Sequence, residues 1–211
     1  EVPESAPRTE IAAIDNSDQD IAIRFAKRHA SLLRHIPQSR KWRYWDGTCW
    51  LPDEILRAPD QLKVFLRGLG DIALRGTLDN RVKDAAAQAY ARRLSSAKIA
   101  REIMQLAASD ARLTATSDQF DQDPWALNTK SGIVDLRSGE LRAHDPSGMM
   151  SKIASTTVGS SADCPRWMAF LAETTDNDAE LIAYLHRLAG YILTGSTREQ
   201  SFTFIYGTGG N

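Results

Sequence analysis

Two groups of residues in this 211-residue chain have the types and the spacing to do chemistry. The first is the terminal run Gly207-Thr208-Gly209-Gly210-Asn211, which follows the apolar, strand-favouring stretch Ser201-Phe202-Thr203-Phe204-Ile205-Tyr206. A phosphate-binding loop has this layout: a buried strand, then Gly, four residues, and Gly-Lys-Ser/Thr. Its glycines let successive backbone N–H groups turn inward around phosphate oxygens, and its Lys balances their charge. Gly207, Thr208, Gly209, Gly210 and Asn211 supply the opening positions and are the nucleotide-binding candidates. Without the Lys and the hydroxyl they neither hold ATP tightly nor place Mg²⁺. Taken alone, a glycine-rich strand exit is also the ordinary form of a turn.

The second group lies between residues 21 and 45, where Arg24, Lys27, Arg28, Arg34, Arg40, Lys41 and Arg43 occur with no acid among them. Trp42, Tyr44 and Trp45 are interleaved with these cations, and Trp50 follows closely. Lys and Arg meet phosphates while flat rings stack on unpaired bases, so the combination suits single-stranded DNA. Arg24, Lys27, Arg28, Arg40, Lys41, Trp42 and Arg43 are the DNA-binding candidates. The same composition also describes aromatic packing around a hairpin turn and a solvated basic helix face.

Other chemistry finds little support. Asp121-Gln122-Asp123 resembles the start of a calcium loop, but Pro124 and Trp125 occupy places where such a loop needs a ligand and a turn. His29, His35, His144 and His186 have no Cys or acid cluster at ligand spacing and read as structural. No nucleophile–base pair or Gly-x-Ser-x-Gly elbow is present, so the chain offers no catalytic or metal residues of its own. Cys49 and Cys164 are far apart and suggest neither a disulfide framework nor a zinc site.

Composition bounds the rest. The chain is 42% hydrophobic and 25% charged, with 26 Lys+Arg against 27 Asp+Glu for a net charge of −1. That is ordinary globular usage, able to bury a core in one or two domains. The near-neutral total is a cancellation, because acids collect at 110–123 and 163–180, opposite in sign to the 21–45 segment. Such segregation would also serve head-to-tail contacts between subunits. No apolar run reaches the roughly 18 to 20 residues that cross a bilayer, and the start lacks a signal-peptide layout, so no membrane association and a cytoplasmic location are expected. The missing initial Met and the stop inside a glycine-rich motif read as a piece cut from a longer protein.

The elements that must position these residues follow from periodicity. Residues 1–16 read as a linker or arm. Ser17 with Asp20 is a capping signal, and Ile21, Phe25, Leu32 and Ile36 make one stripe, which predicts a helix over 18–36 stopped by Pro37. Asp46-Gly47 predicts a hairpin pairing Trp45 with Thr48 and Arg43 with Trp50. Apolar residues at three and four spacing predict a helix from Pro59 to Arg75, and an Ala-rich stretch predicts helix over 79–109, split near Ser95-Ser96. Ser138-Gly139 predicts a second hairpin with Val134 and Leu136 against Ala143 and Leu141, and with Asp135–Arg142 and Arg137–Glu140 as opposite-charge pairs. Pro165 opens a short helix, and Asp176, Asn177 or Asp178 caps another that carries Leu181, Leu185, Leu188 and Ile192. The expected class is α+β, mainly helical, with two β-hairpins and a C-terminal strand leading into a truncated P-loop. The expected division is 1–16 arm, 17–115 helical part with aromatic hairpin, 116–195 hairpin and helices, and 196–211 strand and partial loop.

The order of motifs carries a resemblance. Phe120-Asp121-x-Asp123-Pro124-Trp125-x-Leu127-Asn128, then Ser131-Gly132-Ile133-Val134-Asp135-Leu136-Arg137-x-Gly139-Glu140-Leu141, resembles the segment before the helicase core of phage and plasmid primase-helicases. These are of the satellite-phage P-four type, carrying a poxvirus D-five-like N-terminal domain. Leu185-x-Arg187-x-x-Gly190-Tyr191-x-Leu193-Thr194-Gly195, followed by Phe204-Ile205-Tyr206-Gly207-x-Gly209-x-Asn211, is similar to that family's approach to its Walker A loop. Arg24-Phe25-Ala26 and Trp42-x-x-Trp45-Asp46-Gly47-x-x-Trp50 match as well. The resemblance covers roughly 17–211 and implies a module between a primase domain and a superfamily-3, AAA+-type, ATP-dependent DNA helicase. It further implies ATP and Mg²⁺ as cofactors of the full-length protein, DNA, single-stranded or at a replication origin, as partner, self-association as a ring, and a bacterial host carrying a mobile element. The catalytic Lys, Walker B acids and arginine finger of that family fall beyond Asn211, so this stretch alone is expected to turn over no ATP. The other reading is a stand-alone DNA-binding or adaptor domain whose glycine-rich end is a turn.

Overall fold

The computed structural model describes residues 17–75 and 85–204. The arm expected at 1–16, the first turn expected at 79–84, and Ile205–Asn211 with all the nucleotide-loop candidates lie outside the described residues. The described elements are α1 (Asp18–His29), β1 (Leu33–Ile36), β2 (Lys41–Trp45), β3 (Trp50–Pro52), α2 (Arg57–Arg75), α3 (Ala85–Leu94), α4 (Ala97–Ala108), β4 (Ala126–Thr129), β5 (Gly132–Asp135), β6 (Leu141–Arg142), α5 (Pro165–Thr174) and α6 (Ala179–Leu193). The class is α+β, with two three-stranded antiparallel sheets ordered β1-β2-β3 and β4-β5-β6. The described residues gather into two compact units. One runs through Tyr44 and resumes over Pro52–Thr116; the other holds Trp45–Leu51 and the residues from Ser117 onward.

In the first unit, α1 begins where Ser17 Oγ accepts the Asp20 backbone N–H at 3.2 Å. Asp18 and Asp20 in its first turn, and Lys27, Arg28 and His29 in its last, complement the helix dipole. The helix stops at His29 rather than continuing to Ile36. Leu33–Ile36 is instead a strand, paired with Lys41–Tyr44 across a Pro37–Arg40 turn in which Arg40 takes φ 55°. The reason is tertiary: an extended Leu33, 2% exposed, reaches the core shared by α1, α2 and α4, while its backbone gains a ladder. The Arg34 guanidinium donates to the Ala30 carbonyl, an acceptor the ended helix leaves open, and to the Leu33 carbonyl of β1.

That core joins Ile21 and Phe25 of α1, Leu62 and Leu66 of α2, Leu94 of α3, Ile103 and Ala107 of α4, and Leu113, each nearly or fully buried. Both carboxylate oxygens of Asp53 cap α2, accepting the Arg57 and Ala58 N–H groups at 2.8 Å each. The Arg57 guanidinium lies 3.8 Å over the Tyr44 ring, a cation–π contact that ties this helix start to β2. Helices α3 and α4 part at Ser95-Ser96, where Ser96 becomes extended (φ −74°, ψ 129°). At Gly70, α2 passes so close to α3 that a Cβ would sit 3.3 Å from that of Ala91.

In the second unit, the Asp46 carboxylate accepts from the Thr48 N–H, the Thr48 hydroxyl and the Cys49 N–H, and the Asp46 N–H donates to Cys49 O at 3.1 Å. This slides the hairpin by one residue per strand from a loop centred on Asp46-Gly47, and Trp45 rather than Arg43 stands beside Trp50, with rings 5.7 Å apart. Trp50 is fully buried, donates Nε1–H to Pro146 O at 2.9 Å, and meets Phe120 edge-on. Strand β4, absent from the sequence reading, pairs with β5 (Thr129 with Gly132). The Leu136 N–H extends that ladder to Trp125 O, and on the other side the Asp135 N–H donates to Glu140 O at 2.9 Å, so β5 meets β6 as Val134 with Leu141 and Ile133 with Arg142. The expected Asp135–Arg142 and Arg137–Glu140 pairs therefore do not face each other across the ladder. Helices α5 and α6 form as their signals predict, α6 being capped by Asp178. Ser201–Phe204, expected as strand, is irregular: no ladder among the described residues includes it, and a strand without a neighbour is not stable.

Candidate nucleic-acid interface

Within the first unit, the β1–β2 hairpin, the start of α2 and one face of α4 enclose a groove of ≈ 930 Å³. Trp42 and His35, directly opposed on β2 and β1, form one wall, their ring centroids 5.0 Å apart. The apolar floor comes from Leu62, Ala100, Met104 and Ala108. Arg40 from the hairpin turn, Lys63 from α2 and Arg101 from α4 stand at the edges, all exposed. No Asp or Glu lines the groove, and among the described residues no carboxylate pairs with any of these three cations.

The wall is held by hydrogen bonds that join distant segments. His35 N–H donates to Leu113 O, and the Ala115 N–H donates to His35 O, so Leu113–Ala115 runs beside β1. The Ala108 carbonyl accepts from His35 Nδ1 at 3.1 Å and from the Thr114 hydroxyl at 3.1 Å. Because a carbonyl only accepts, Nδ1 carries the proton and Nε2 is left as the free ring nitrogen. Burial lowers the His35 pKa below its ordinary value, and this outweighs the opposing effect of the Ala108 bond. The imidazole is neutral at neutral pH.

Of the DNA-binding candidates, only Arg40 and Trp42 line this groove. Lys41 and Arg43 alternate with Trp42 along β2 and so face the other side of the sheet, Arg43 opposite Arg34. Arg24 is held by Asp20 within α1 at 2.9 Å. Lys27 and Arg28 are exposed on the last turn of α1, and Arg28 lines a smaller cavity of ≈ 230 Å³ beside His29 and Phe65. Lys63, Arg101 and Met104 were not singled out by sequence, since each is unremarkable within its own element, and His35 was read there as structural. The one available hint was the acid-free spacing around Trp42.

Two other sequence features have structural roles. The Asp121 carboxylate, at the start of the metal-like Asp-x-Asp run, accepts the Ser151 N–H and hydroxyl and so pins a loop. His29, 5% exposed, donates from Nδ1 to Phe25 O at 2.9 Å and packs its ring 4.2 Å from that of Phe25. Among the described residues no cluster of His, Cys, Asp and Glu is suited to a metal ion, and no helix is long and apolar enough to cross a membrane.

Residues 22–176 match the family model described as D5 N terminal like. No curated protein matches the chain.

Proposed function

From the premise that this chain belongs to the D5 N-terminal-like family, we propose that it is the module preceding the ATP-driven DNA helicase in a mobile-element replication primase-helicase, and that it engages single-stranded DNA. The observation that supports DNA engagement is the groove of the first unit, which combines a half-buried ring wall with three exposed cations and no acid. Phosphates would meet Arg40, Lys63 and Arg101, with Lys27 and Arg28 adding a further basic surface. On this reading ATP and Mg²⁺ act in the parent protein through residues beyond Asn211, the parent assembles as a ring, and Gly207–Asn211 open its Walker A loop.

The test is equilibrium binding of a labelled single-stranded oligonucleotide over a range of salt. Binding whose logarithm falls linearly with log salt, and which single strands compete for better than duplex, supports the proposal. Absence of binding at low ionic strength overturns the DNA part. Reading the parent gene past Asn211 tests the helicase part: Gly-Lys-Ser/Thr supports it, and any other sequence removes it.

A second reading, an adaptor that binds protein, is favoured by one observation in the other unit. Trp167, Phe170, Leu181 and Tyr184 on α5 and α6 are each at least 40% exposed.

A further inference from the structure

We propose that the groove of the first unit is a subsite for one unstacked nucleotide. The base lies against Trp42 over the Met104 and Leu62 floor, and its flanking phosphates are held by Arg40, Lys63 and Arg101. This rests on the reading that the chain engages single-stranded DNA and adds where, and by what contacts, a base is taken.

Four observations carry it. The volume, ≈ 930 Å³, lies in the range of pockets that enclose a small ligand. The lining is apolar in the middle and cationic at its edges, which matches a nucleotide: a flat base with π-faces joined to an anionic backbone. Arg40 and Arg101 offer planar guanidinium forks suited to phosphate oxygens. Finally, the hydrogen-bonding edge of β1 is occupied by Leu113–Ala115, through His35 N–H to Leu113 O and Ala115 N–H to His35 O. An extended acidic peptide therefore cannot add a strand there, the commonest way such an edge takes a peptide. With few polar groups in the lining, the subsite would hold bases by stacking and discriminate weakly among them.

The experiment measures anisotropy of a labelled oligothymidine and of the same strand with abasic residues. The intact strand should bind wild type about tenfold or more tightly than the abasic one. Trp42→Ala should lose that preference while keeping the salt slope, whereas Lys63→Glu and Arg101→Glu should each reduce the slope by about 1. Trp42→Phe, which retains a ring and the packing behind it, should recover most of the preference. Because the abasic comparison needs no variant, a misfolded Trp42→Ala protein leaves the test intact. Equal binding of intact and abasic strands overturns the subsite. If Lys27→Glu/Arg28→Glu still weakens binding in that case, DNA engagement survives without it. No binding of either strand by wild type overturns both, and saturable binding of an acidic helical peptide that Arg101→Glu abolishes would then give the groove to a protein partner.

Discussion

His35 on β1 and Trp42 on β2 are directly opposed, with ring centroids 5.0 Å apart, and together wall a groove whose opposite side is α4. The pair stands there because Ala108 O, at the end of α4, holds His35 Nδ1 at 3.1 Å. A residue read from sequence as an isolated histidine thus orients the ring of a residue read as a stacking platform.

A first prediction concerns this histidine. Burial lowers the His35 pKa, outweighing the opposing Ala108 hydrogen bond. Bound phosphates reverse that balance by favouring the imidazolium. Single-strand affinity should therefore rise as pH falls below 6.5, and His35→Gln should flatten the rise. Anisotropy at a series of pH values checks this; an unchanged slope in His35→Gln would exclude His35 as the source.

Stability should move the other way, through His29. Burial is the main cause of its lowered pKa, ahead of the opposing Phe25 hydrogen bond. The unfolded chain takes up this proton near pH 6.5, the folded chain only below that. Its contribution is complete above pH 6.5 and declines as pH falls from there toward the folded pKa, because the unfolded state then binds more protons. Denaturant melts at neutral and mildly acidic pH should show the loss, and His29→Gln, whose amide can still donate to Phe25 O, should reduce it.

The Asp53 carboxylate caps α2 with two N–H bonds, and its own N–H donates to Trp42 O at 2.9 Å. Asp53→Ala should cost about 1 to 2 kcal/mol in a denaturant melt. Asp53→Asn, whose side-chain oxygen still accepts, should recover part of this.

Gly132 has φ +142°, and a Cβ there would sit 2.4 Å from the Arg142 carbonyl oxygen. Gly132→Ala should destabilise the β4-β5-β6 sheet by about 2 kcal/mol or more, since both the backbone conformation and the ladder to β6 resist it. Thermal melting reads the effect. The exposed Gly47, at φ +104° with nothing within 4 Å of its would-be Cβ, should respond less, its penalty being conformational alone.

What was legible in the sequence was local. The Ser17 cap, the Ser95-Ser96 break, the Pro165 start and the Asp178 cap each act within one turn of helix, and each predicts its element in the described residues. Leu32 and Ile36 satisfied a helical stripe equally well, but Leu33–Ile36 became strand once Lys41–Tyr44 offered a ladder. The register of both predicted hairpins was set by bonds that the turn dipeptides do not specify: Asp46 accepts three bonds in the first, and the Asp135 N–H donates to Glu140 O in the second.

The candidate site divides in the same way. Composition by itself marked an acid-free, aromatic-rich segment at 21–45, because charge and ring content are properties of the chain read in one dimension. Which of those cations stand beside Trp42 was settled only in three dimensions. The pleat of β2 sends Lys41 and Arg43 to the other face, while packing of α2 and α4 brings Lys63 and Arg101 to Arg40. A groove built from three elements depends on long-range burial and on the ladder that seats β1, and neither is encoded at any single spacing.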